Sequence, residues 1–202
     1  MKWFVVQPAT SLSLLVALAA LLTMGCQQTP RSNLAEQLSR IEQRREKALL
    51  LSEQGLEAED PSHRRELLSR AVEMDPMLGP AQNNLGVVLF EQGEYYQAAK
   101  HLRQAANLMN ASPGPWANLA VLHAELSQWH RAEEYAREAR ERDGSDPLSL
   151  RVLARALSET GEDESELKRV LEKLALRDPS EAWRQWAIAN QKALIDRQPI
   201  WE

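Results

Sequence analysis

From residue 34 to residue 196 the apolar positions recur every three or four residues, with charged and amide side chains filling the gaps, as in "LGVVLFEQGEYYQAAKHLRQAANLM" from Leu85 to Met109. That spacing puts the apolar side chains on one face of a helix with 3.6 residues per turn. Ala, Leu, Glu, Gln and Arg dominate, β-branched residues are few, and no stretch alternates with period two, so an all-α chain is predicted. The helices are punctuated by "MDPMLGP" (74–80), "NASPGP" (110–115), "GSDP" (144–147) and "DPS" (178–180), where Pro and Gly stop one helix and Ser or Asp can cap the next. Gly93 in "EQGEY" and Gly161 in "ETGED" mark shorter turns that need a left-handed residue. Ser127 stands at the corresponding turn of "ELSQW" and fits it less well.

The pattern repeats. "NNLGVVLFEQGEYYQAAKHLRQAANLMN" from Asn83 overlays "ANLAVLHAELSQWHRAEEYAREARERDG" from Ala117 with a shift of 34 residues and no gap. Leu85 falls on Leu119, Gly86 on Ala120, Tyr95 on Trp129, Ala98 on Ala132 and Ala105 on Ala139. The shift and the residue types resemble the tetratricopeptide repeat, which pairs two antiparallel helices per unit. The same frame carried backward meets Leu51, Ser52, Ala71 and Pro76, and carried forward meets Leu153 and Ala154. One extra residue in "GEDES" then aligns Leu167, Leu171, Leu174 and Pro179. Arg64 departs from the family's small residue, and the fourth unit has no alanine at the equivalent place.

The predicted fold is therefore a tetratricopeptide-like α-solenoid over residues 34–197, with about four helix-turn-helix units at 45–78, 79–112, 113–146 and 147–181. A long N-terminal helix carrying Leu34, Leu38 and Ile41 on one stripe leads into it. A capping helix at 182–197 closes it, with Ser180 before it and Trp183, Trp186 and Leu194 turned toward the array, and a tail follows at 198–202. Small residues at Ser52, Gly86, Ala120 and Ala154 are steric requirements, since paired helix axes must approach to about 8–10 Å.

The first 25 residues break the pattern: Lys2 precedes the apolar run "SLSLLVALAALL" (11–22), which reads as an export signal. The rival reading is a membrane-spanning anchor, because Trp3 to Thr29 is uncharged and long enough for about 30 Å of hydrocarbon. Leu22-Thr23-Met24-Gly25-Cys26 resembles the lipobox of bacterial lipoproteins, which implies a signal peptide at 1–25 and a lipidated Cys26 opening a linker at 26–33. Several acyl chains at about 0.8 kcal/mol per buried CH₂ suffice for stable anchoring. Gln27 after the cysteine, by that resemblance, implies the outer membrane, with the protein on its periplasmic face.

Charge narrows the function. With 24 Lys and Arg against 29 Asp and Glu the net charge is -5, so no basic footprint for nucleic acid exists. His63, His101, His123 and His130 lack metal-ligand spacing, and the single cysteine cannot complete a site. No phosphate loop or nucleophile elbow occurs. No catalytic residues, metal, cofactor or small-molecule substrate are expected, and the chain is read as no enzyme.

What the resemblance implies instead is a concave surface lined by the first helix of each unit, taking protein or peptide segments. Its positions are Asn83, Asn84, Val87 and Phe90 in the second unit, Asn118 and Val121 in the third, and Arg151 and Arg155 in the fourth. Asparagines at 84 and 118 can hydrogen-bond a ligand backbone, having both donor and acceptor, or can bond locally. Leu49 and Glu53 replace the residues that clamp a C-terminal carboxylate in chaperone-binding relatives, so no such clamp is expected. The expectation is a lipid-anchored interaction module that scaffolds a cell-envelope complex, similar in architecture to pilotin and tight-adherence pilus lipoproteins. The alternative is an adaptor delivering substrates to an envelope protease or cell-wall hydrolase.

Overall fold

Asp60, Asp146 and Asp163 each accept a hydrogen bond from the backbone N–H three residues on, at 2.7, 2.7 and 2.8 Å, and each thereby starts a helix. In the structure, a computed structural model describing residues 30–196, nine helices and no strands form among the described residues. They are α1 (Pro30–Glu57), α2 (Pro61–Met74), α3 (Gly79–Glu91), α4 (Tyr95–Leu108), α5 (Pro113–Glu125), α6 (Trp129–Arg142), α7 (Pro147–Thr160), α8 (Glu164–Arg177) and α9 (Glu181–Asp196). Proline opens α2, α5 and α7, where its missing N–H would have had no helical partner anyway. The export segment, Cys26 and the tail from residue 198 lie outside the described residues.

The chain divides after Gln43. In the first unit every side chain from Asn33 to Gln43 is exposed, Leu34, Leu38 and Ile41 included. The apolar stripe expected to lead into the array is thus open to solvent there, and the helix is supported by exposed i,i+4 contacts such as Arg40 to Glu36 at 2.6 Å. None of the described helices is long and apolar enough to cross a membrane.

In the second unit, from Arg44 onward, successive helices pack on each other and the odd-numbered helices α3, α5 and α7 also touch in succession. The turns of the α3–α4, α5–α6 and α7–α8 pairs each contain a left-handed residue: Gly93 at φ 79°, Ser127 at φ 53° and Gly161 at φ 67°. These three are spaced by 34 residues, the period of the sequence repeat. The backbone therefore repeats even where the residue type does not, and Ser127 takes a conformation that costs an L-residue about 1 kcal/mol.

The core runs along the array as three clusters, each drawing residues from neighbouring helix pairs, in keeping with a quasi-one-dimensional array. Ala48, Leu51, Leu67 and Ala71 join α1 to α2. Leu85, Leu89, Ala98 and Leu102 join α3 to α4. Leu153, Leu157, Leu167 and Leu171 join α7 to α8, and Ala187 and Leu194 bring α9 onto the same cluster. Gly86 shows why the small residues are needed: a Cβ there would stand 2.7 Å from Leu102 Cγ and 3.2 Å from the Leu102 backbone nitrogen. Ala120 and Ala154, its equivalents, are wholly buried.

Candidate functional site

α5 and α7 run side by side, and each presents a strip of short apolar side chains between them: Val121 and Ala124 from α5, Val152 from α7. Trp183 from the first turn of α9 and Leu148 from the start of α7 complete the lining. The result is an open cavity of about 220 Å³ on the face built by the odd-numbered helices. Glu125 and Arg155 lie on its rim, both exposed, and neither forms an ion pair among the described residues. The Arg155 guanidinium rests 5.2 Å from the Trp129 ring centroid, which steadies it without neutralising it.

Arg151, one turn earlier, is differently employed. Its Nη2 and Nε donate to the two carboxylate oxygens of Asp178 at 2.6 and 2.9 Å, and it lies 5.5 Å from the Trp183 ring. The guanidinium beside it holds the Asp178 carboxyl below the usual carboxylate range, against the opposing effect of burial. Asp178 also accepts from the Ser180 backbone N–H at 2.8 Å, and its own carbonyl accepts from Arg184 at 2.7 Å. One carboxylate thus ties α7, the end of α8 and the start of α9, and so fixes Trp183 at the cavity. Arg151 thus lines the cavity, as expected, while its guanidinium is engaged by Asp178.

The remaining candidates lie along the same face, toward α3. Asn118 Nδ2 donates to Asn83 Oδ1 at 2.9 Å, linking α5 to α3, and Asn83 Nδ2 donates to Asn84 Oδ1 at 3.3 Å. Of the two uses open to these amides, the local one engages the Asn118 donor and the Asn84 acceptor. Val87 and Phe90 pack against the α3–α4 core, and Phe90 is half-buried with its ring 5.8 Å from that of Tyr95. Val121, Arg151 and Arg155 meet at the cavity, and Asn83, Asn84 and Asn118 form a separate amide cluster. Trp183 and Leu148 were absent from the sequence candidates, and the signal available was the aromatic residue at the first turn of the capping helix.

Of the histidines, His123 is buried, with Nδ1 2.7 Å from Gln128 Oε1 and its ring stacked on Tyr135 at 5.1 Å. Its Nε2 has no partner, and burial lowers its pKa below the ordinary 6.5. His101 bonds Gln82 at 2.7 Å and is lowered by burial in the same way. Among the described residues no group of three or more His, Cys, Asp or Glu side chains is placed to hold a metal ion.

The tetratricopeptide-repeat family model matches residues 81–110, which is α3, α4 and the turn between them. Curated proteins include none with a significantly similar sequence. Solved structures do share the architecture. YrrB, a tetratricopeptide-repeat protein with an unusual peptide-binding site, aligns at 18% identity over 77% of this chain and 77% of its own, with a TM-score of 0.59. MamA aligns at 18% identity over 71% of this chain and 83% of its own, with a TM-score of 0.54. The first tetratricopeptide-repeat domain of Spaghetti (RPAP3), bound to the HSP90 peptide SRMEEVD, aligns at 14% identity over 58% of this chain and 96% of its own, with a TM-score of 0.55. At these identities the likeness is one of fold. This chain has the all-α helical-repeat architecture of tetratricopeptide-repeat proteins, and its second helix pair matches the repeat itself.

Proposed function

We propose that this chain is a protein-interaction module that holds a segment of a partner protein on the face of α3, α5 and α7. The observation that carries the reading is the open apolar cavity between α5, α7 and α9, bordered by a carboxylate and a guanidinium that form no ion pair. Buried apolar contact with a polar rim is what a recognition site for a peptide segment requires. Solved proteins of the same fold that take peptides support a peptide-binding role.

The module is held at a bacterial envelope membrane through lipidated Cys26, facing the periplasm, where it scaffolds an envelope complex of the pilus or secretion kind. The lipobox-like residues from Leu22 to Cys26 support the anchoring. Cys26→Ser abolishes acyl labelling if the cysteine is the anchor, and unchanged labelling refutes it.

Binding on this face is tested by crosslinked pull-down from native membranes, comparing the wild type with Ala124→Arg, which fills the cavity, and with Glu172→Arg on α8. A partner enriched by the wild type and by Glu172→Arg but lost with Ala124→Arg is the expected result. Equal recovery by all three would place binding elsewhere.

A further inference from the structure

The cavity between α5, α7 and α9 has a chemical polarity that specifies its occupant. Resting on the assignment of this face to partner binding, we propose that it takes a large apolar side chain in an extended peptide segment with a basic residue on one side and an acidic residue on the other. At about 220 Å³ the cavity exceeds the roughly 150 Å³ of a cavity that admits benzene, so an aromatic or branched aliphatic side chain fits. Trp183 gives it a flat apolar wall of the residue type that most often anchors an interface, and Arg151 and Asp178 hold that wall in place.

The two flanking charges follow from the rim. Among the described residues Arg155 has only an aromatic partner, the Trp129 ring, so its positive charge is available to a ligand carboxylate. Glu159, one turn along α7, opens onto a different depression with His130 and Glu162. On the other helix Glu125 is the last residue of α5, where the negative end of the helix dipole adds to the charge of the carboxylate. A ligand cation is favoured there. An extended segment places positions i−2, i and i+2 on one side, so a basic, apolar, acidic series at that spacing meets Glu125, the cavity and Arg155 together.

The probe is a capped peptide containing Lys-Ser-Phe-Ser-Glu, titrated into the full array while the Trp183 indole signal is followed by NMR. Its controls are Lys-Ser-Phe-Ser-Lys, Glu-Ser-Phe-Ser-Glu and Lys-Ser-Gly-Ser-Glu. The mixed-charge peptide shifts Trp183 saturably, each like-charge peptide binds about two- to fivefold more weakly, and the glycine peptide gives no saturable shift. Arg155→Glu inverts the ranking in favour of Lys-Ser-Phe-Ser-Lys, and Glu125→Lys inverts it in favour of Glu-Ser-Phe-Ser-Glu, a gain of binding that misfolding cannot produce. Like-charge peptides binding the wild type as tightly as the mixed one, or a ranking unmoved by Arg155→Glu, overturns the charge assignment. Saturable binding that leaves Trp183 unshifted overturns the cavity as the apolar site. The Ala124→Arg pull-down still decides separately whether a partner uses the face at all.

Discussion

Arg151 grips Asp178 through both carboxylate oxygens at 2.6 and 2.9 Å, whereas Arg155, one turn along the same helix, touches no carboxylate among the described residues. Two arginines at neighbouring positions of one face therefore have opposite duties. The Asp178 side chain is 0% exposed, so removing its partner strands a buried charge, while removing Arg155 uncovers only an aromatic surface.

The expected outcome is that Arg151→Ala destabilises the array by about 2–4 kcal/mol, less than a fully buried pair because Arg151 itself reaches solvent. Arg155→Ala changes stability by about 0.5 kcal/mol or less. Urea unfolding of both variants checks the contrast. Because Asp178 titrates below its ordinary range, the contribution of the pair is complete above about pH 4 and is lost as the pH falls through that depressed value. In Arg151→Ala this acid-labile part is missing.

Gly86 is a contact requirement, so its replacement sets helix propensity against packing. Alanine gains about 1 kcal/mol of propensity in the helix. The 2.7 Å approach to Leu102 Cγ and 3.2 Å approach to backbone cost about 1–3 kcal/mol, so Gly86→Ala is expected to destabilise by up to about 2 kcal/mol. A stabilised variant in chemical unfolding would show that α3 and α4 have room to separate.

Ser127 is the reverse case. It holds φ 53° between α5 and α6, where Gly93 and Gly161 hold similar angles without a Cβ. Ser127→Gly is expected to stabilise by about 0.5–1 kcal/mol, raising Tm by roughly 1–4 °C in a chain of this size. Thermal unfolding followed by circular dichroism reads this directly.

How much of this was legible can be seen at these same positions. The 34-residue period, the all-α class and the small residues at helix crossings were written in the sequence, because each expresses a local requirement that recurs from pair to pair. The turn at Ser127 was legible only through its two glycine equivalents. Asp178 was hidden within "DPS", where it reads as a helix stop. Its bond to Arg151 spans 27 residues and depends on how α7, α8 and α9 meet. Val121, Arg151 and Arg155 of the cavity lining were legible from the repeat, but its closure was not, since the lining comes from three helices. The Asn118–Asn83 bond was missed because it joins positions that are not equivalent in the repeat.

His123 breaks the repeat's apolar pattern, standing where Leu89 and Leu157 stand in the neighbouring pairs. Its pKa is lowered by burial, so the unfolded chain binds the proton more readily. Stability from this group is fully present above about pH 6.5 and declines as the pH falls from there toward the lowered value. His123→Leu removes the unpartnered Nε2 and is expected to flatten the loss of stability between about pH 7 and 5, leaving the part due to His101. Urea midpoints at pH 5, 6 and 7 for both proteins test it, and an unchanged slope would refute it.

The central claim is that a partner segment lies on the face of α3, α5 and α7. Its most direct test places a photo-crosslinking side chain at Arg155 on that face, or at Glu172 on α8, in the full chain expressed in cells, and maps the crosslinked residues of the partner by mass spectrometry. Crosslinks from position 155 to one short segment of one protein, with none from position 172, are the expected result. The same segment captured from position 172, or from both positions equally, would contradict the account.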